Sequence, residues 1–186
     1  MTATIKVGVS ACLLGQPVRY DGGHKHDRYI TETLGAFFSF VPVCPEVECG
    51  MTVPREPMRL EGDPCNPRLI TNYSRSDLTE QMLDYCCAKV RRLEQEELCG
   101  FIFKKDSPSC GLLQVKVYAG DESAKNGSGL FAAAMQRTFP LLPMEEEGRL
   151  HDPAIREIFL KRLFCYHRLQ GFLGNTPPVE LLHNHV

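Results

Sequence analysis

Residues 5–13, IKVGVSACL, form a short apolar run with β-branched side chains, and the interpretation of the fold starts from it. Two runs of the same kind follow at residues 37–46, FFSFVPVCPE, and at residues 98–105, LCGFIFKK. Runs of this length and composition predict strands. Because each run is apolar on both faces, the strands are predicted to lie buried between helical layers.

The segments between and after these runs alternate between helical and extended patterns. Residues 74–98 place apolar side chains at near-helical spacing, with Ser76 as the predicted N-terminal cap. Residues 114–120, QVKVYAG, predict a further strand, residues 129–139 a helix, and residues 140–144 a last strand. This alternation predicts an α/β fold with an open, mostly parallel sheet flanked by helices, a Rossmann-like three-layer sandwich.

The pattern changes near the C-terminus. A helix is predicted from Asp152 to Gly174, opened by Asp-Pro and closed by glycine. We therefore expect one domain over residues 1–147, followed by a linker helix and tail over residues 148–186.

Composition excludes several classes of protein. The chain has 186 residues, 43% of them hydrophobic, and a net charge of -2, so nothing in it favours binding to a nucleic acid polymer. No apolar stretch reaches the length of a membrane span, and the N-terminal residues lack the features of a secretory signal. A cytoplasmic protein is the expectation. Its nine cysteines then call for metal or reactive-thiol chemistry, because disulfides are rare in that compartment.

Three cysteines are predicted to meet. Cys12 and Cys44 lie at the C-terminal ends of the first two predicted strands, and Cys110 follows the end of the third. The carboxyl ends of parallel strands share one edge of a sheet, where ligands bind. We therefore expect the three thiols to surround a common ligand.

The type of ligand is left open by these residues alone. Thiolates select zinc, copper(I) or iron–sulfur clusters, and structural zinc sites commonly use two closely spaced cysteine pairs. Three isolated cysteines on separate loops instead suit a 4Fe-4S cluster with one iron free of protein ligands. This argument favours iron–sulfur only modestly over zinc.

Three motifs, in order, resemble a known family. They are VSACLLGQPVRYDGG at residues 9–23, PVCPEVECGMTVPREP at residues 42–57 and KKDSPSCG at residues 104–111. They are similar to the thiouracil desulfidase (TudS-like) family over about residues 4–145. The C-terminal helix resembles the segment that joins this domain to a YbgA-like domain in longer fused relatives.

The resemblance implies an activity and its residues. It implies a 4Fe-4S cluster held by Cys12, Cys44 and Cys110, and removal of sulfur from a small thiolated nucleobase such as thiouracil. Glu46 is the expected general base or proton shuttle for the attacking water. Ser107 and Ser109 are expected to hold the polar edge of the nucleobase or a cluster sulfide.

Each of these residues also has a structural interpretation. Glu46 could simply cap a helix that starts after Cys44 and Pro45, and the two serines could simply form a turn. Cys49 stands where the family pattern favours a small residue, so it competes with Cys44 as the second ligand.

Other residues with possible chemistry have simpler explanations. Arg55 is expected to be an ion-pair partner, and Arg19, Tyr20 and Asp21 either form a turn or line the substrate pocket. The acidic residues 145–147 are expected to be an exposed charge run. Cys65 is expected to be a loop thiol, and the remaining cysteines to pack as small apolar residues: Cys86, Cys87, Cys99 and Cys165.

The resulting hypothesis is an iron–sulfur desulfidase that acts on a small thiolated nucleobase or related sulfur compound. The alternative is a zinc-binding or redox-thiol module without this activity. A nucleotide-binding protein is disfavoured, because neither GxGxxG nor a Walker loop follows the first strand. The oligomeric state is not predicted.

Overall fold

The computed structural model describes residues 5–120 and 122–174. Within these residues the chain forms two four-stranded sheets and four α-helices, with short 3-10 and π-helical segments. The strands are β1 (Lys6–Ser10), β2 (Ser39–Val43), β3 (Met58–Asp63), β4 (Asn66–Thr71), β5 (Gly100–Phe103), β6 (Val115–Ala119), β7 (Glu122–Gly127) and β8 (Met144–Glu146). The α-helices are α1 (Pro45–Glu48), α2 (Thr79–Glu94), α3 (Leu130–Thr138) and α4 (Pro153–Gly174).

The first sheet confirms the predicted α/β fold. Its order is β2-β1-β5-β8, and every neighbouring pair is parallel. In the register, Gly8 of β1 lies beside Val41 of β2 on one side and Phe101 of β5 on the other. A Cβ atom at Gly8 would meet the Phe101 ring at 2.2 Å, so the phenylalanine requires a glycine on the neighbouring strand.

The two faces of this sheet are covered by different helices. Phe101 and Phe103 stack with ring centroids 4.2 Å apart and pack with Phe131 of α3 on one face. Ile102, which points the opposite way along the same strand, packs with Phe159 of α4 on the other face. β1 and β5 are therefore buried on both faces, as their continuous apolar runs predicted, and the sheet is the middle of three layers. The same prediction is wrong for β2, which lies at the edge of the sheet and is partly exposed.

The second sheet was not predicted. Its order is β4-β3-β6-β7, with antiparallel pairs at both ends and a parallel pair between β3 and β6. The strand at residues 114–120 therefore belongs to this sheet and not to the parallel one. Val115, Val117 and Leu60 face the core shared with α2 and α3.

Aspartates lie just before the starts of two helices and accept their first backbone N–H groups. Helix α2 begins later than predicted, at Thr79, and Asp77 rather than Ser76 accepts the backbone N–H of Thr79, at 3.0 Å. Asp152 accepts the backbone N–H of Ala154 at 2.8 Å, which fits the predicted start of α4.

Helix α4 packs on the parallel sheet through Phe159 and Leu163, which are 4% and 0% exposed.

The boundary between a domain ending at residue 147 and a C-terminal linker helix stays a prediction. Among the described residues, none of the helices combines the length and apolar character that crossing a membrane requires.

Candidate functional site

The carboxyl ends of β1, β2 and β5 border one cavity of about 370 Å³. Cys12 lines it from the turn after β1, Cys44 from the residue after β2, and Cys110 from the loop after β5. The structure thus brings together the three thiols that strand topology predicted would converge.

Cys12 and Cys110 are buried, Cys44 is half-buried, and the three thiols are close enough to influence one another electrostatically. Burial, with a smaller contribution from Cys44, raises the pKa of the Cys12 thiol to about 11. Burial also raises the pKa of Cys44, and it raises the pKa of Cys110 well above its ordinary value. Thiolates at Cys12 and Cys44 would raise the pKa of Cys110 further. Three negative charges at these positions therefore need a positively charged partner in the cavity.

A tight turn fixes Cys110. The Ser107 hydroxyl accepts the backbone N–H of Cys110 at 3.1 Å, and the Ser107 carbonyl accepts that of Gly111 at 2.8 Å. A Cβ atom at Gly111 would lie 2.3 Å from the Val115 side chain and 2.8 Å from the Ser107 carbonyl oxygen. Ser107 and Gly111 therefore determine where Cys110 points.

Glu46 faces the same cavity and is held at both carboxylate oxygens. Ser109 donates a hydrogen bond to its Oε1 at 2.6 Å, and Arg55 binds its Oε2 through Nε, at 2.9 Å, and through Nη2. The Arg55 and Glu46 side chains are only 7% and 13% exposed. The structure therefore gives Arg55 the expected role of ion-pair partner.

The short helix that begins at Pro45 carries Glu46 and Glu48 in its first turn, where a carboxylate is favourable beside the helix dipole. Glu48 Oε1 accepts the backbone N–H of Cys44 at 2.9 Å, while its Oε2 accepts bonds from Tyr85 and Lys89. Glu46 makes no such capping bond, and its carboxylate lines the cavity.

The segment after β1 forms another wall. Arg19 and Tyr20 line the cavity, and the Val18 carbonyl accepts a bond from Arg55 Nη2 at 2.9 Å. Asp21 is outside the lining and accepts the backbone N–H of Gly23 at 3.0 Å, so it forms a turn.

The acidic run at residues 145–147 was expected to be exposed, and this is wrong. Glu146 and Glu147 are 6% and 8% exposed. Glu146 Oε1 accepts the backbone N–H groups of Leu112 and Leu113, at 2.9 and 3.1 Å. Glu147 binds the Lys104 ammonium and accepts the backbone N–H of Lys105 at 2.8 Å. These carboxylates therefore anchor the segment that carries Cys110.

Sequence reasoning also missed Ser10 and Lys104 in the cavity wall. The Ser10 hydroxyl accepts the backbone N–H of Lys104 at 3.0 Å. Their positions at the ends of β1 and β5 are the signal that could have identified both residues.

Cys49 is not among the residues that line the cavity. Its Sγ donates to the Glu46 backbone carbonyl at 3.2 Å, and its side chain packs against the larger core. The structure thus directs Cys44 into the cavity and Cys49 away from it.

The other cysteines divide by exposure. Cys86 and Cys99 are buried, in line with packing, whereas Cys87 and Cys165 are exposed, so the packing interpretation is wrong for these two. Cys65 is exposed in the turn between β3 and β4, as a loop thiol should be.

The spacing of donors bears on the kind of metal group that could bind. Within residues 5–120 and 122–174, no three Cys, His, Asp or Glu side chains are grouped tightly enough for one metal ion. A single zinc ion, with zinc–sulfur distances of about 2.3 Å, would need sulfurs only about 3.8 Å apart. A 4Fe-4S cluster binds each cysteine through a different iron, so it does not require three thiols to converge on one ion.

Comparison with known proteins agrees with this geometry. The family model described as 2-thiouracil desulfurase matches residues 7–147. The Bacillus subtilis (strain 168) protein YbbK, itself described as uncharacterized, is 31% identical over 136 residues, which are 69% of this chain and 88% of YbbK.

A solved structure is also similar. The protein described as 4Fe-4S-dependent thiouracil desulfidase TudS matches with a TM-score of 0.66 and 30% identity, over 82% of this chain and 97% of that one. With the family model spanning most of its length, the chain belongs to the 2-thiouracil desulfurase family.

Proposed function

We propose that the protein is an iron–sulfur-dependent desulfidase that removes sulfur from a thiolated nucleobase such as thiouracil, giving the oxo base and sulfide. One observation carries the proposal: Cys12, Cys44 and Cys110, from three separate strand ends, line a single cavity. The family match and the similarity to a 4Fe-4S-dependent thiouracil desulfidase support it.

Cys12, Cys44 and Cys110 would hold a 4Fe-4S cluster. Three protein ligands leave one of the four irons without a cysteine. When bound, the cluster would supply a Lewis acid that polarises the C=S bond of the substrate. The cationic lining residues Arg19, Lys25, Lys104 and Lys105 offset the negative charge that three thiolates bring.

Glu46 would accept the proton of the attacking water. Its Oε2 is occupied by Arg55, so proton transfer is assigned to Oε1, which Ser109 contacts at 2.6 Å. Ser107 Oγ lies 3.0 Å from Ser109 Oγ, and the two hydroxyls extend the hydrogen-bonded path from Glu46 along the Cys110 turn. The same hydroxyls would orient the polar edge of a nucleobase.

The overall reaction balances without a redox partner. Water supplies the oxygen that replaces sulfur on carbon, and its two protons leave with the sulfur as hydrogen sulfide or as hydrosulfide plus a proton. The chain therefore has to position water, move one proton at Glu46 and bind the nucleobase. A cavity of about 370 Å³ is large enough for a small ligand.

The alternative, a zinc or redox-thiol module, has less support from the geometry. Among the described residues no donor group fits a single metal ion.

Anaerobic metal analysis tests the proposed function. The wild-type chain should be brown and contain about four irons and four acid-labile sulfides, and it should convert thiouracil to uracil. Cys12→Ala, Cys44→Ala and Cys110→Ala should lose iron and turnover, whereas Cys165→Ala, at an exposed site on α4, should retain both. Zinc without acid-labile sulfide in the wild-type chain would contradict the proposal.

A further inference from the structure

Lys104 follows β5 directly, and its side chain forms part of the cavity wall. The Lys104 side chain is 14% exposed and that of its ion-pair partner Glu147 is 10% exposed. The ammonium also donates to the Lys105 carbonyl oxygen at 3.0 Å. An ammonium has three N–H donors. The described residues account for two of them, so the third is available to a molecule in the cavity.

The position of this ammonium is fixed by its surroundings. The Lys104 backbone N–H donates to Ser10 Oγ at 3.0 Å, and the Glu147 backbone N–H donates to the Phe103 carbonyl at 3.1 Å. Glu147 Oε2 is occupied by the backbone N–H of Lys105. The charge is therefore held in place relative to the ends of β1 and β5.

Stability is a weak reason for such an arrangement. Moving the ammonium and the carboxylate out of water costs on the order of several kcal/mol for each ion. The attraction between the two charges often only balances that cost. Ordering a lysine side chain costs up to about 2 kcal/mol more. A part-buried lysine whose ammonium is oriented beside a cavity is better explained by what that ammonium does there.

Cys12 is the thiol whose segment is tied to this lysine. The Lys104 backbone N–H donates to the hydroxyl of Ser10, two residues before Cys12, at 3.0 Å. Lys104 and Cys12 line the same cavity.

We propose that Lys104, held by Glu147, is a positioning residue for the iron–sulfur group, and that its third N–H donates to a sulfur atom at the Cys12 corner of that group. This inference rests on the proposed function. Hydrogen bonds to cluster sulfurs and nearby charges affect both metal retention and reduction potential.

The test compares Lys104→Met with Glu147→Gln in the anaerobically prepared full chain. The measurements are iron and sulfide per chain, the rate of iron loss to a chelator, the reduction potential and the thermal midpoint. Lys104→Met should lose iron about 10-fold faster, and its potential should be more negative because a cation is removed. Glu147→Gln should have a more positive potential because an anion is removed while the ammonium remains.

The two variants break the same ion pair, so a purely structural role would lower both thermal midpoints and would not shift the potentials in opposite directions. The matched control is Lys6→Met. Lys6 also lies on the parallel sheet and pairs with Glu96 at 3.1 Å, but both side chains are more than 40% exposed, at 43% and 44%. Its loss should change neither iron retention nor potential.

The outcomes separate this inference from the proposed function. A wild-type chain without iron and sulfide overturns both. A cluster-containing wild-type chain whose potential is unchanged in Lys104→Met, or shifts in the same direction in both variants, overturns only the role of Lys104. If Lys104→Met does not fold, the potential of Glu147→Gln decides, because the absence of a positive shift contradicts the inference.

Discussion

Ser109 donates a hydrogen bond of 2.6 Å to Glu46, although 63 residues separate them in sequence. The contact joins the turn that carries Cys110 to the helix that follows Cys44. It links two of the three thiol-bearing segments through the carboxylate assigned to proton transfer. Ser109 is itself 1% exposed, so the bond is shielded from water.

Ser109→Ala should lower kcat for thiouracil by about 100-fold, because Glu46, the proposed catalytic carboxylate, loses the donor that orients Oε1. Iron content should stay at the wild-type level. Ser128→Ala is the matched control, since Ser128 donates to the Leu112 carbonyl at 2.9 Å and does not line the cavity. Steady-state kinetics of both variants check this, and an unchanged kcat in Ser109→Ala would remove the serine from the proposed proton path.

Arg55→Met should lower the free energy of unfolding by about 3 kcal/mol, because it leaves the largely buried Glu46 carboxylate without its partner. Arg68→Met is the comparison. Arg68 pairs with Asp77 where both side chains are well exposed, at 64% and 39%, so its loss should cost about 1 kcal/mol or less. Denaturant unfolding measures the free energy of unfolding of both variants. Equal losses in the two would contradict the role of Arg55 as partner of a largely buried carboxylate.

The parallel sheet and the meeting of Cys12, Cys44 and Cys110 could be predicted from the sequence. Strands buried on both faces leave continuous apolar runs, and parallel topology places their carboxyl ends at one edge. The second sheet left no such pattern. The six residues of β7, ESAKNG, are exposed except for Gly127, so hydrophobic periodicity has nothing to detect.

The polar contacts of the site were also beyond prediction. Glu147 and Lys104 are 43 residues apart, and Glu146 reaches backbone donors 33 and 34 residues away. Three consecutive glutamates look like a solvated charge run unless the positions of their partners are known. Pairing at this range depends on how the strands are arranged, which local composition does not encode.

Gly111→Ala should disturb the cavity more than the addition of a single methyl group suggests. The added Cβ would lie 2.3 Å from Val115 and 2.8 Å from the Ser107 carbonyl oxygen, so the turn that carries Cys110 has to move. We expect a loss of about 1–3 kcal/mol in the free energy of unfolding and reduced iron content. Gly35→Ala is the control, because its Cβ would make only ordinary contacts, with Phe40 at 3.5 Å. Full iron content in Gly111→Ala would show that the turn tolerates the change.

Asp77 should make stability depend on pH under acidic conditions. Hydrogen bonds from Thr79 and Arg68 lower the pKa of Asp77 from 3.8 to about 2. A carboxyl whose pKa is lower in the folded state stabilises the fold above its unfolded pKa, and this contribution is lost as the pH falls toward 2. The denaturation midpoint of Asp77→Asn should therefore approach that of wild type between about pH 4 and pH 2. A difference between the two midpoints that stays constant over this pH range would contradict the predicted effect of Asp77 protonation.

Cys44 and Cys49 should behave differently although only five positions separate them in the chain. Cys44 faces the cavity, whereas Cys49 donates to the Glu46 carbonyl at 3.2 Å and packs on the larger core. Cys44→Ala should lose the bound iron. Cys49→Ala should retain iron and sulfide and lose only about 1 kcal/mol of stability, because a small half-buried side chain is shortened. Iron and sulfide analysis of the two variants, prepared together without oxygen, checks the assignment. If Cys49→Ala loses the iron and Cys44→Ala keeps it, the second ligand is Cys49, and the segment after β2 must rearrange when the metal binds.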